Sequence, residues 1–423
     1  LKKDEYGFSR ICYIGEATFE YFISLMITGA FLAKLTSHLG FSDSLTAILS
    51  SFVALGCSFQ MFSIAFFRAG QAKRRVTFLH ILNQLLFMAI YLVPFFRLGK
   101  LAKTVAFIIF LLGGYFISNV IFAPKTNWFM SLVPDKKRGI FTSVKEMVSL
   151  VGGFLFNFGM GTIIDRYESE GNVRGAFVLC AIAIFVLMLL HTCTLVFSKE
   201  KPAEESVQAV GIRERFGNII ADRDIIKVIS ISIFWTISYH FSVSFFGTYQ
   251  IKELGFSMQF VALLSLLYAV VRVPCSFLLG HYADKHSFAK MLKICYGLAA
   301  VSFLFATFTV PGNGKVFYTA YYLIMAAAMG GINSAEINLI FDYVDAKSRS
   351  DALAVKQTVY GLCGFLATVA VTPFVDYIQN AGNQFFGMHV YAQQILSAVS
   401  FVCTLLLILY LDKIILRIST KKD

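Results

Sequence analysis

The chain has 423 residues, 57 % hydrophobic and only 15 % charged, with a mean hydropathy of +0.70 and a formal net charge of +12. Soluble proteins carry about 25 % charged residues, and a chain this apolar could not cover its surface in water. Soluble enzymes, secreted disulfide scaffolds and disordered proteins are therefore excluded as readings of the whole chain, which leaves a polytopic α-helical membrane protein.

A bilayer core about 30 Å thick takes roughly 20 apolar residues per helix. On that ruler the sequence predicts twelve spans, at 11–33, 44–67, 76–96, 104–131, 141–164, 175–197, 228–250, 259–281, 289–310, 316–341, 352–375 and 388–411. The apolar runs are continuous rather than alternating, which excludes a β-barrel. Glu16 and Glu20 interrupt the first run, so it reads as a span and not as the core of a cleavable signal. All eight cysteines lie in apolar segments without a C-x-x-C pair, and read as small buried hydrophobes.

With the N-terminus in the cytoplasm, about 25 of the 37 Lys and Arg fall in cytoplasmic segments and about 8 outside. The groups Lys73 to Arg75, Lys136 to Arg138 and Lys413 to Lys422 dominate that asymmetry. It predicts a cytoplasmic membrane protein with both termini in the cytoplasm. The positive charge is then a topology signal with anionic membrane lipids as its partner, and not a mark of nucleic-acid binding.

One long connection breaks the series. After the charged stretch 198–206, Ile212, Phe216, Ile219 and Ile220 recur at helical spacing opposite Arg213, Arg215 and Asp222. This predicts a cytoplasmic linker, 198–227, with an amphipathic helix on the membrane surface. It separates an N-terminal six-helix bundle, 1–197, from a C-terminal one, 228–423. The halves repeat each other at an offset of 211: Val133, Arg138, Lys145, Gly153, Asp165 and Asn172 recur as Val344, Arg349, Lys356, Gly364, Asp376 and Asn383. Internal duplication of this kind is a signature of secondary transporters.

Twelve spans, a 6+6 repeat and a long central loop resemble the major facilitator superfamily. That family carries Gly-x-x-x-Asp-(Arg/Lys)-x-Gly-(Arg/Lys)-(Arg/Lys) after its second helix, with a copy after the eighth. Here the second copy holds Gly280, Asp284, Lys285 and Lys290, with Ser287 in place of the second glycine; the first copy keeps a basic run near Arg68 to Arg75 but has no aspartate. The resemblance implies two pseudo-symmetric bundles working by alternating access, as a monomer, with Asp284 in a conformational latch. It also implies that helices one, two, four, five, seven, eight, ten and eleven line a central cavity, while three, six, nine and twelve face lipid.

A charged side chain at a helix centre costs about 2.5–3.5 kcal/mol on insertion scales, so each one asks for a partner or a task. Glu16, Glu20, Lys125, Lys145, Glu146, Arg272, Glu336 and Lys356 lie inside the predicted spans, none on a peripheral helix. At about 1.5 Å per residue, Glu20 and Arg272 lie near mid-depth, as does His240, and the others roughly 6–11 Å toward the cytoplasm. The shallower tier suggests a gate of ion pairs, with Lys125 and Glu336, at equivalent positions of the repeat, as opposite charges; a static or snorkelling network is the alternative. For the central tier, Glu20 stacks one turn from Glu16, a carboxylate pair suited to proton coupling. Arg272 could hold a substrate anion or hydroxyl, or simply neutralise Glu20. His240, Trp235, Trp128, Asn333 and Gln357 complete the candidate substrate-binding residues, with Gln60, Asn119, Asn127 and Asn157 as further polar positions.

No P-loop, G-x-S-x-G, H-E-x-x-H or kinase signature is present, and no cation-cage spacing of carboxylates. The sequence thus predicts a non-enzymatic secondary transporter without cofactor or metal. Its expected cargo is a small polar organic solute, a sugar or organic acid, moved with protons, or with sodium as the alternative ion. An efflux pump for amphiphilic compounds is the second reading, and a non-transporting membrane sensor or scaffold the third.

Overall fold

A computed structural model describes residues 5–62, 72–134, 138–201, 217, 219, 221–344 and 349–417. The helices are α1 (Gly7–Met26), α2 (Gly29–His38), α3 (Asp43–Ser50), α4 (Phe52–Ser58), α5 (Ala72–Leu92), α6 (Lys100–Ser131), α7 (Arg138–Ser169), α8 (Val173–Phe197), α9 (Arg223–His240), α10 (Met258–Lys285), α11 (Phe288–Thr307), α12 (Gly314–Tyr343), α13 (Arg349–Asn380) and α14 (Ala392–Lys413). Irregular helical turns carry α9 on to Glu253.

Among the described residues, ten helices are long and apolar enough to cross a membrane, and the bent pair α1–α2 makes an eleventh. The segment Asp43–Ser58 is a shorter apolar helix. Continuous helix is what a bilayer demands, because every backbone N–H and C=O must be satisfied within the segment. The count agrees in outline with the twelve predicted spans, the second of which runs past residue 62 and out of the described region. The predicted amphipathic linker helix also lies outside it, except Gly217, Ile219 and the chain from Ala221 on, where Asp222 caps α9 by accepting from the Asp224 and Ile225 amides. The last span starts at Ala392, four residues later than predicted. A two-residue hairpin precedes it, pairing Gln384 with His389 and Phe385 with Met388. Phe386 and Gly387 both take positive φ there, as a tight primed turn requires.

The chain forms two compact units. Unit 1 comprises Leu1–Ser42, Phe59–Ala209 and Ser257–Leu263; unit 2 comprises Asp43–Ser58, Val210–Phe256 and Leu264–Asp423. In unit 1, α1 packs on α7 and α8, and α5 on α6 and α8. Its core gathers Tyr13, Val76, Ile121, Trp128, Phe129, Leu132 and Leu195. In unit 2, α9 packs on α13 and α14, α11 on α12 and α14, and α3 and α4 on α13.

The repeat is visible in the helices themselves: α7 and α13 each have 32 residues, and both their ends are 211 apart. Their glycines do equivalent work. A Cβ at Gly153 would strike the Tyr21 ring of α1, and one at Gly364 would lie 2.8 Å from Thr236 and His240 of α9. Each glycine therefore lets one helix of its unit approach closely, as small residues do between membrane helices. Prolines stand inside α6, α10 and α13, at Pro124, Pro274 and Pro373. Each removes one intrahelical bond, and two of them stand beside intramembrane cations, Lys125 and Arg272.

Candidate functional site

The most concentrated chemistry lies in unit 1. Lys125 follows Pro124 on α6, and its ammonium is buried, with the side chain only 4 % exposed. It donates to Glu16 at 2.6 Å and to Glu20 at 2.5 Å, the two carboxylates presented one turn apart by α1. Glu16 is enclosed at 1 % exposure, whereas the Glu20 side chain keeps 36 %. Two acids on one ammonium leave a surplus of one negative charge when both are ionised.

Behind Glu16 the network continues through residues that the sequence reading did not single out. His191 of α8 meets Glu16 through Nε2 at 3.2 Å. Its Nδ1 lies 2.7 Å from His80 Nε2 and 2.8 Å from Gln84 Nε2, both of α5. All three are buried. They escape a reading that weighs charged residues and treats helices three and six as lipid-facing. The available signal was a lone histidine within each of two otherwise apolar spans, a feature that is functional by default in a membrane.

Tyr13, stacked on Phe129 at 4.5 Å, borders the cluster from α1. Lys145 of α7 reaches the Tyr13 hydroxyl at 3.4 Å and lies 4.8 Å from the ring centre. Glu146, next to it, is exposed.

Unit 2 holds a separate pair. Lys356 of α13 donates to Glu336 of α12 at 2.9 Å, both side chains being buried. Lys125 and Glu336, expected as opposite charges of a gate, each have a partner inside their own unit. The positions of unit 1 equivalent to Glu336 and Lys356 both hold lysines, 125 and 145, and there the counter-ions of Lys125 come from α1. Within unit 1, the counter-ion of Glu20 is Lys125.

Arg272 has no carboxylate partner among the described residues of unit 2. Its guanidinium lies 6.0 Å from the Tyr268 ring centre. Tyr268 packs on Tyr322 at 5.1 Å, and Tyr322 on Tyr318 at 6.1 Å. The sequence signal for this group was the i, i+3, i+4 spacing of Tyr318, Tyr321 and Tyr322 on one helix, whereas Tyr268 joins it from another.

Other candidates settle differently. Trp235 is buried to 1 % exposure and stacks on Tyr296 at 5.2 Å, and Trp128 donates its indole N–H to the Lys199 carbonyl at 2.8 Å. Both tryptophans are thus packed or tied to backbone. His240 is half-buried against Gly364, with Nδ1 3.1 Å from Ser244. Gln357 is half-buried and Asn333 exposed. Asp284 is exposed in the last turn of α10, and Ser287, standing where the motif has glycine, caps α11 by accepting from the Lys290 amide at 3.2 Å.

This helical architecture, with ion pairs buried inside apolar spans, is that of a multi-pass membrane transporter. The sequence profile of the Major Facilitator Superfamily matches residues 17–368. The chain belongs to that superfamily, whose fold is that of secondary transporters. Solved structures agree on the fold. The nucleoside transporter NupG, in a point-mutant form, is similar at 10 % identity and a TM-score of 0.73, over 96 % of this chain and 99 % of its own. A D-xylose-proton symporter is similar at 16 % identity and 0.68, over 95 % and 97 %. An auto-inhibited POT family peptide transporter is similar at 12 % and 0.68, over 98 % of both chains. No curated protein matches the sequence.

Proposed function

We propose that the chain is a proton-coupled secondary transporter of a small polar organic solute, working by alternating access in the cytoplasmic membrane with both termini in the cytoplasm. Its two six-helix halves, 1–197 and 228–423, would be joined by the linker 198–227. The observation that carries this reading is the sharing of Lys125 by Glu16 and Glu20. One proton brings that cluster to neutrality, and neutrality is what a low-dielectric span favours. Glu20, the half-exposed member, is the group placed to meet water. Arg272, with no carboxylate among its neighbours in unit 2, suits a carboxylate or hydroxyl-rich solute through its planar fork. Lys125, Lys145, Glu336, Lys356 and Asp284 remain the proposed gating set. A sugar or organic acid as cargo is in keeping with the fold of a D-xylose-proton symporter.

The test is transport in proteoliposomes, after a thermal-shift screen of sugars, organic acids and drugs has supplied a binding solute. Glu20→Gln should abolish uptake driven by a pH gradient while sparing counterflow exchange. Full gradient-driven uptake in that variant removes the coupling role. The tyrosine group around Arg272 favours a second reading, export of flat amphiphilic compounds, because phenol faces bind such bodies well. Counterflow with each solute class separates the two.

A further inference from the structure

The chain from Glu16 through His191 to His80 has two loose ends: His80 Nδ1 and Gln84 Oε1 are buried and have no hydrogen-bond partner. Unpaired buried polar atoms are costly, so they point to a state in which they are used. An ionised Glu16 only accepts, so His191 must donate to it through Nε2. In a neutral ring Nδ1 is then a lone pair, which takes the His80 Nε2 proton; the Gln84 amide touches both of these nitrogens, and it turns its oxygen to that N–H because its NH2 cannot face another donor. His80 is left with a bare Nδ1.

We propose that the coupling proton is held on the His191–His80 pair, with Glu16 as its counter-ion. The inference rests on the proton-coupled reading above and names where that proton sits. A proton added at His80 Nδ1 lets the Nε2 proton cross the 2.7 Å bond to His191 Nδ1. His191 then donates through both nitrogens and carries the positive charge against Glu16, while His80 stays neutral as the other tautomer. Only N–H bonds form and break, and the cluster moves from one net negative charge to none. Gln84 serves both states. The turned amide offers Oε1 first to the His80 Nε2–H and then to the new His191 Nδ1–H, both nitrogens lying within its reach. The groups facing the pair are Glu16, Glu20 and Tyr13 from α1 and Lys125 from α6, with Lys145 of α7 acting through Tyr13; α5 and α8 add none beyond Gln84 and the histidines themselves.

The experiment follows the imidazoles of the full chain in lipid nanodiscs by 15N-histidine NMR from pH 8 to 4, with no solute needed. His80→Gln and His191→Gln assign the two signals among seven histidines. In the wild type, His191 should become doubly protonated while His80 changes tautomer at the same midpoint. Gln84→Leu, which leaves the ion pairs intact, should lower that midpoint by about one pH unit, a tenfold loss of proton affinity. Glu16→Gln should lower it further. A His191 that stays neutral across the range, or a midpoint unmoved in Gln84→Leu, overturns the proposal. The uptake assay fails independently: wild-type uptake indifferent to the pH gradient, with a charging His191, removes coupling alone, and gradient-driven wild-type uptake that Glu20→Gln abolishes, with a neutral His191, removes this assignment alone.

Discussion

Asp165 and Asp376, equivalent positions of the repeat, each stand near the C-terminal end of a long helix and each accept a hydrogen bond from the first turn of another. Asp165 takes the Met258 and Gln259 amides of α10 at 3.0 and 2.9 Å within unit 1. Asp376 takes the Ser44 hydroxyl of α3 at 2.6 Å within unit 2. A carboxylate at a helix N-terminus satisfies orphan donors and complements the helix dipole. Around each lie further charged contacts. Lys34 pairs with Glu168 in unit 1, and Lys252 and Gln379 both donate to Asp43 in unit 2.

The two aspartates should not be equally costly to remove. Asp165→Ala strands two amides and should destabilise by about 1–2 kcal/mol. Asp376→Ala leaves Ser44 with the Thr372 carbonyl, already 3.2 Å away, and should cost no more than about 0.5 kcal/mol. Thermal unfolding in detergent checks the order. Equal losses would mean that the amide caps contribute nothing.

Lys125 should be the least replaceable of the intramembrane charges. Lys125→Met leaves Glu16 buried without its ammonium, and breaking a buried pair costs about 3–5 kcal/mol. Adding Glu16→Gln should recover most of that loss, since Glu20 is half-exposed and can be hydrated. The yield and melting temperature of the two variants decide it.

How much of this was legible in the sequence follows from what each signal depends on. The spans and the repeat rest on composition and local spacing, so helix α7 and its mate α13 could be read directly from the offset. The carboxylate pair was legible because Glu16 and Glu20 share one helix face. Its partner was not, because choosing Lys125 over Arg272 depends on how α6 packs against α1, a long-range fact. The histidines were hidden for a related reason: an outer helix can turn one polar residue inward, and assigning whole helices to lipid erases it. The contacts of the tryptophans were not legible either: size and rarity suggest recognition, but the packing of Trp235 and the bond from Trp128 to the Lys199 carbonyl are long-range facts.

The pair Glu336–Lys356 should survive a swap. Either Glu336→Lys or Lys356→Glu alone places like charges together in a buried site, at about 3–5 kcal/mol. The double variant restores opposite charges on α12 and α13, and should regain at least half of the lost stability in the same melting assay. A double variant no better than the worse single would show that the site depends on the orientation of the pair and not on its neutrality.

Glycine substitutions should separate forgiving from unforgiving helix contacts. Gly361 of α13 backs onto the Ala54 carbonyl of α4, with Cys57 Cβ at 3.0 Å and Ser58 Oγ at 3.1 Å from an added Cβ. The obstacle is backbone, and Ser58 ties the same helices by donating to the Thr358 carbonyl at 2.9 Å. Gly361→Ala must therefore push two helices apart, and should cost about 3 kcal/mol, the upper end for overpacking. Gly153→Ala meets side chains and not backbone, the half-buried Tyr21 ring and Leu25 Cδ1 at 3.4 Å, and should cost about 1 kcal/mol. Melting curves of the two variants test the order directly. A Gly153→Ala protein less stable than Gly361→Ala would mean that Tyr21 is held more rigidly than the backbone of α4.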